Sequence, residues 1–177
     1  MSPKSFALAI ALALGCAGAA VAHAASAAVD YSGSWKLDVA RSRNLPSYYS
    51  GIRSHRLVTR QDASSLQVQV QLDKGDDAPQ SFTFRYLLDG TPVASSSKIR
   101  TPTGMEDVPT TLRALVDEAG QLRITATTQR QQRDAMAEGV TTEHWRLSAD
   151  GATLTVRRAA MGLAGLQESD LVFAKEQ

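Results

Sequence analysis

Strict alternation of apolar and polar residues between positions 65 and 72 is the feature that most limits what this chain can fold into. The segment reads SLQVQVQL, so its apolar side chains fall on one face of an extended strand and its glutamines on the other. A side-chain period of two is typical of a β-strand that buries one face. The pattern predicts an antiparallel sheet with one side in water.

The same period recurs along most of the chain, and short Gly- and Asp-containing turns separate the repeats. Asp89-Gly90 and Asp150-Gly151 are two such turns, and both residue types tolerate the positive φ angles of tight hairpins. We therefore expect about ten sequential antiparallel strands. The candidates are Tyr31–Val39, His55–Arg60, Ser65–Leu72, Phe82–Leu88, Pro92–Ile99, Thr111–Asp117, Gln121–Thr128, Thr141–Leu147, Ala152–Arg158 and Asp170–Lys175.

Two segments depart from this alternation. Asn44–Gly51 carries two adjacent tyrosines and is predicted to be a loop. Gln129–Gly139 is polar and rich in helix formers, which fits either one helical turn or a long hairpin tip. We favour the hairpin tip, because short isolated helices are marginally stable in water.

The N-terminal residues 1–24 have the layout of a secretory signal peptide. Lys4 provides the positive charge, an apolar run follows, and Ala22-His23-Ala24 matches the small-residue cleavage pattern, with a second acceptable cut after Ala27. The alternatives are a membrane anchor and a lipid anchor at Cys16, whose preceding residues fit the lipoprotein pattern poorly. We expect a periplasmic or secreted protein, alternatively an outer-membrane lipoprotein, with residues 25–177 as a single domain and no membrane span.

Charge and cysteine content exclude several classes of function. The chain carries 19 Lys and Arg against 18 Asp and Glu, which lacks the electrostatic footprint of a nucleic-acid binder. One Cys excludes an intramolecular disulfide framework, and the scattered histidines make a weak case for a metal site. No nucleophile elbow, phosphate loop or dinucleotide motif is present. The sequence therefore indicates no catalytic residue, no cofactor and no metal.

Three short segments resemble one family. They are GSWKLD at 33–38, WRLSADGATLT at 145–155 and VFAK at 172–175. Their order and spacing resemble exported bacterial lipocalin-like proteins of the calycin type. The resemblance implies an all-β, antiparallel up-and-down barrel of about 8–10 strands that can hold an internal cavity, with Trp35 as a structural residue at its closed end. It carries over no catalytic residue and no particular ligand.

A barrel also follows from the physics of the pattern. A long meander with one apolar face must cover that face, and closing the sheet on itself does so while removing the exposed edges. The candidate ligand-binding residues are the aromatic side chains that could line a cavity or its mouth. They are Phe82, Phe84, Tyr86, Trp145, Tyr48 and Tyr49, and for each of them core or rim packing is the alternative.

Glu143 shares the strand face of Trp145. A buried carboxylate is costly unless it is paired, so we expect this strand to enter the apolar interior only at Trp145.

Three functions remain open at this point. The first is a non-enzymatic exported protein that binds a small, mainly apolar ligand in the barrel. The second is a periplasmic structural or interaction module, such as an accessory or inhibitor protein, with a filled core, an exposed apolar patch and an envelope protein partner. The third is an isomerase- or cyclase-type enzyme, which requires Tyr, Arg and carboxylate groups to converge inside the barrel.

Overall fold

The computed structural model describes residues 29–75, 78–101, 104–132, 135–162 and 165–176, so the predicted signal peptide and Cys16 lie outside the described residues. These ranges contain ten strands and one short 3-10 helix, Ser47–Tyr49. The strands are β1 Gly33–Leu37, β2 Ser54–Gln61, β3 Ser65–Asp73, β4 Gln80–Leu87, β5 Val93–Thr101, β6 Gly104–Val116, β7 Leu122–Gln132, β8 Ala135–Leu147, β9 Thr153–Gly162 and β10 Gly165–Lys175.

The strands form one antiparallel sheet that curls into a nearly closed up-and-down barrel. Their order is β4-β3-β2-β1-β10-β9-β8-β7-β6-β5, so nearly every strand pairs with its neighbour in sequence. The first and last strands also pair, with Trp35 opposite Lys175. The all-β barrel predicted from the alternation is confirmed, with ten strands in the described residues.

The sheet closes only in part, along the seam between β4 and the β5–β6 hairpin. At one end of the seam the Gly90 amide donates a hydrogen bond to the Ala114 carbonyl at 2.8 Å, and Asp89 forms a bridge with Leu115. Toward the other end, no ladder joins β4 to β5 in the described part of the chain. The barrel is therefore fastened at one end of this seam and unpaired at the other.

The segments that departed from the alternation take the expected forms. Gln129–Gly139 contributes to both β7 and β8, so it belongs to a long hairpin and the prediction is confirmed for its described residues. Asn44–Gly51 is a loop that contains the 3-10 helix. No helix in the described ranges is long and apolar enough to cross a bilayer.

The end of the barrel where β1 begins and β2 ends is sealed by the segment that precedes β1. The Tyr31 hydroxyl lies 3.0 Å from the Trp145 carbonyl and 3.1 Å from the Gly120 carbonyl, and it accepts a hydrogen bond from the Leu122 amide at 3.1 Å. Trp35 is fully buried beside it and donates to the Thr59 hydroxyl at 3.1 Å. We call this the closed end, and the placement of Trp35 there agrees with the sequence-based expectation.

Large side chains fill the interior around the closed end. The biggest residues with almost no exposure are Trp35, Tyr31, Phe173, Leu66, Leu122 and Leu154. Apart from Tyr31, which precedes β1, they come from strands on opposite sides of the barrel, so they meet across the barrel axis and form one core. Space for a ligand is consequently confined to the other half of the barrel.

Candidate ligand site in the open half of the barrel

A cavity of about 180 Å³ lies inside the barrel above this core. Its apolar wall comes from alternating inward positions of β2, β3, β9 and β10, the same positions that the period of two marked as buried. This wall includes Leu57, Val68, Val70, Val156 and Phe173. The cavity is small for a ten-stranded barrel, because large side chains already fill the half of the barrel at the closed end.

A second, wider pocket of about 590 Å³ occupies the unpaired part of the seam. Phe82 and Leu72 contribute apolar surface to it, and Ser97 faces them from β5. Phe84 lines both this pocket and the inner cavity, so its ring forms a wall shared by the two spaces. We call the wider space the seam pocket.

The structure places most of the candidate aromatic residues around these two spaces. Tyr86, Trp145 and Tyr49 line the inner cavity, Phe82 lines the seam pocket, and Phe84 lines both. The Tyr48 backbone lies in the 3-10 helix, while its side chain lies outside the described side chains. Tyr49 was expected at the rim or exposed; it is 8% exposed, and its ring lies 5.5 Å from that of His55.

Tyr86 brings an unpaired hydroxyl to the cavity. The residue is 7% exposed, and among the described residues its hydroxyl has no hydrogen-bond partner. Burial, and to a smaller extent the charge of Glu143, raise the pKa of this phenol well above its usual value. The hydroxyl is therefore neutral at physiological pH, and it can both donate and accept a hydrogen bond.

His55 is a second buried polar group without a partner, and the sequence did not identify it. It is 7% exposed, and neither ring nitrogen has a hydrogen bond within the described part of the chain. Its ring lies between Tyr49 and Phe173, whose ring centroid is 5.3 Å away. Burial, followed by the positive charge of Arg158, lowers the pKa of His55 from 6.5 to about 4, so the imidazole is neutral.

Glu143 and Arg158 form a charge pair at the cavity wall. They face each other in the β8–β9 ladder, and the Arg158 Nε lies 3.6 Å from the Glu143 Oε1. The other carboxylate oxygen accepts a hydrogen bond from the Trp145 indole at 2.9 Å. The expectation that β8 enters the interior only at Trp145 was wrong: Glu143 also lines the cavity, because pairing and partial exposure offset the cost of its charge.

A third concave region lies on the outside of the barrel and is rich in arginine. Arg41, Arg43, Arg146 and Arg157 line it, with Asp170 among them. Three of the four already have partners: Arg41 pairs with a neighbouring aspartate, Arg157 with Asp170, and Arg146 with a glutamine. These contacts are those of a solvated charged surface, and such pairs contribute little free energy.

Among the described residues, no three His, Cys, Asp or Glu side chains cluster in a way that could hold a metal ion. His144 points into solvent and His55 into the barrel, which separates the two described histidines. In the inner cavity the polar groups that can act on a ligand include the hydroxyl of Tyr86, the imidazole of His55 and the Glu143–Arg158 pair, while Lys74, Lys98 and Asp107 line the seam pocket.

Comparison with known proteins adds no assignment. No protein-family model matches this chain, and no curated protein sequence shows significant similarity to it.

Proposed function

We propose that this chain is an exported, non-enzymatic lipocalin-like protein that binds a small, mainly apolar ligand inside its barrel. The supporting observation is the pair of adjoining spaces, about 180 Å³ and 590 Å³, that share Phe84 as a wall. Cavities of ~150 Å³ lined by apolar side chains are large enough to hold a benzene-sized ligand. The inner cavity has the size for one end of such a molecule, and the seam pocket has room for the rest.

The proposed route into the barrel is the seam. Strands β4 and β5 lack a ladder beside the seam pocket, so a ligand can approach there without breaking sheet hydrogen bonds. Phe84, which is half-buried, stands between that pocket and the inner cavity. A rotation of its side chain would connect the two spaces.

Export to the periplasm or the medium is part of the same proposal. It rests on the signal-peptide pattern of residues 1–24 and on the three segments that resemble exported lipocalin-like proteins. The ligand would then be a molecule of the cell envelope or of the surroundings.

The first experiment is native mass spectrometry of the protein purified from the organism that makes it. We expect a bound small molecule that is released on denaturation. Val70→Phe, which fills the inner cavity from β3, should abolish the adduct, whereas Val58→Phe on the outward face of β2 should retain it. Equal occupancy in both variants would refute an interior site.

The interaction-module alternative is less well supported. It requires a filled interior and a broad apolar patch. Among the described residues the large exposed hydrophobic side chains are Val39, Leu115, Met161 and Leu166, and only the last two face each other across a hairpin. A pull-down from the periplasm that recovers a partner dependent on Met161 and Leu166 would favour this alternative.

One observation favours the isomerase- or cyclase-type alternative. Tyr86, Arg158 and Glu143 do converge on the inner cavity, as such an enzyme would need. The raised pKa of Tyr86 argues for binding instead, because a general acid works best with a pKa near the operating pH and burial moves that of Tyr86 away from it. Glu143 is also engaged by Trp145 and Arg158, which leaves it poorly placed to act as a base.

A further inference from the structure

The inner cavity is not uniformly apolar, and two of the polar residues that line it, Tyr86 and His55, have no hydrogen-bond partner for their side chains among the described residues. Both nitrogens of His55 are fully buried and make no hydrogen bond within the described residues, whereas the Tyr86 hydroxyl, which has no hydrogen-bond partner there either, is not among the fully buried atoms. Leaving a buried polar group unsatisfied costs free energy, so each such group in a folded protein requires an explanation. A ligand that supplies the missing hydrogen bonds would provide one.

The charges around the cavity restrict what that ligand can carry. Glu143 and Arg158 compensate each other, and His55 and Tyr86 are both neutral, so the lining has no net charge. A carboxylate in the cavity would be repelled by Glu143, and an ammonium group would be repelled by Arg158. Either charged group would also lose its hydration without gaining an unpaired partner of opposite charge.

We propose that the inner cavity selects a neutral, hydroxyl-bearing amphiphile, whose hydroxyl is held by Tyr86 and the polar groups around it while its apolar tail lies in the seam pocket. This inference rests on the proposed function and adds the chemical class of the ligand. A hydroxyl both donates and accepts, so it can accept from the Tyr86 hydroxyl and donate to the Glu143 carboxylate. A carboxylate can accept but not donate, an ammonium group can donate but not accept, and a purely apolar molecule does neither.

His55 provides a second contact if Tyr49 moves. The Tyr49 ring, on the loop between β1 and β2, lies 5.5 Å from the imidazole, and neither His55 nitrogen has a hydrogen bond within the described chain. A ligand hydroxyl that displaces Tyr49 gains an imidazole that can donate through one nitrogen and accept through the other. Tyr86 and His55 would then hold the hydroxyl from two strands.

The test uses three probes of equal chain length: 1-octanol, octanoate and octylammonium. Their affinities for the full mature protein are measured by isothermal titration calorimetry at pH 7.4. We expect 1-octanol to bind about tenfold more tightly than either charged probe. Failure of all three to bind would contradict the proposed function, whereas a preference for octanoate or octylammonium would overturn only the selection of a neutral hydroxyl.

Three variants show whether the selection arises at these residues. Tyr86→Phe keeps the ring and removes the hydroxyl, so it should weaken octanol several-fold and leave the charged probes unchanged. Glu143→Gln removes the negative charge and should shift the preference toward octanoate, while Arg158→Gln should shift it toward octylammonium. If the two charge variants fail to fold, Tyr86→Phe still decides: unchanged octanol affinity would place the head-group contact elsewhere and overturn the inference.

Discussion

Removing the Tyr31 hydroxyl should destabilise the barrel far more than removing the Tyr86 hydroxyl, although both tyrosines are buried. Tyr31 is 1% exposed, and its hydroxyl lies within hydrogen-bond distance of two carbonyls and one amide at the closed end. Tyr86 is 7% exposed, and its hydroxyl has no partner among the described residues. The same chemical change therefore probes two opposite environments.

The magnitude follows from the groups that each substitution leaves behind. In Tyr31→Phe the buried Leu122 amide loses its acceptor, which costs about 1–3 kcal/mol, and one donated hydrogen bond disappears for about 1 kcal/mol more. We expect a loss of about 2–4 kcal/mol in the free energy of unfolding. For a domain of this size that lowers Tm by roughly 4–16 °C. Tyr86→Phe removes an unsatisfied hydroxyl and should change the free energy by less than ~0.5 kcal/mol.

The assay is urea unfolding of the mature protein without ligand, followed by far-UV circular dichroism and by tryptophan fluorescence. Coincident curves from the two signals justify a two-state treatment. Equal destabilisation by the two substitutions, or a larger loss for Tyr86→Phe, would refute the account of the closed end and of the unpaired cavity hydroxyl together.

Three further predictions concern stability. Because burial lowers the pKa of His55 from 6.5 to about 4, the unfolded chain binds this proton at a higher pH than the folded protein does. The free energy of unfolding should therefore fall by about 2 kcal/mol between pH 7.5 and pH 5. Urea unfolding measured over a series of pH values checks this, and His55→Leu should remove most of the decrease. Gly120→Ala should cost more than Gly151→Ala in chemical unfolding, since both have positive φ but only at Gly120 would a new Cβ lie 2.7 Å from Val29; equal losses would mean that this contact relaxes freely. Trp35→Phe removes an indole that donates to a buried hydroxyl and leaves unfilled volume, so thermal unfolding should show a loss of about 2 kcal/mol or more, and a loss below ~0.5 kcal/mol would contradict a structural role.

The fold could be predicted from the sequence because the pattern that indicates it, the alternation of apolar and polar residues, lies within individual strands. Each strand carries its own alternation, and a shift of one residue would move every apolar side chain into water, so pattern and register agree. Leu66 and Val68 are buried while Gln67 is exposed, as that pattern requires. Turn residues such as Gly90 and Gly151 adopt the positive φ that their positions predicted.

The incomplete seam could not be predicted in the same way. Whether β4 meets β5 depends on strand tilt and on how far each hairpin extends, and neither is encoded within a single strand. The aromatic stripe of β4 was predicted as a possible cavity lining, and the structure places Phe82 and Phe84 along the unpaired part of that seam. Their relation to β5 is a long-range property of the whole barrel.

The sequence analysis did not place the charged side chains of the cavity in the interior, because a charged residue was assumed to be exposed to solvent. Arg158 continues the inward phase of Leu154 and Val156, so the alternation did contain the signal. His55 could not be placed from its short strand alone. What the sequence could not show is that Arg158 and Glu143 stand opposite each other, since this depends on the β8–β9 register.

The position of that charge pair explains how a ligand hydroxyl could be accommodated at small cost. A deeply buried pair pays a large desolvation penalty and resists any change of partner. The Arg158 and Glu143 side chains are instead 23% and 26% exposed, and their 3.6 Å separation is longer than a tight charge-assisted hydrogen bond. Each carboxylate oxygen has two lone pairs, so Glu143 has the acceptor capacity for a hydrogen bond from a neutral ligand beside its contacts with Trp145 and Arg158.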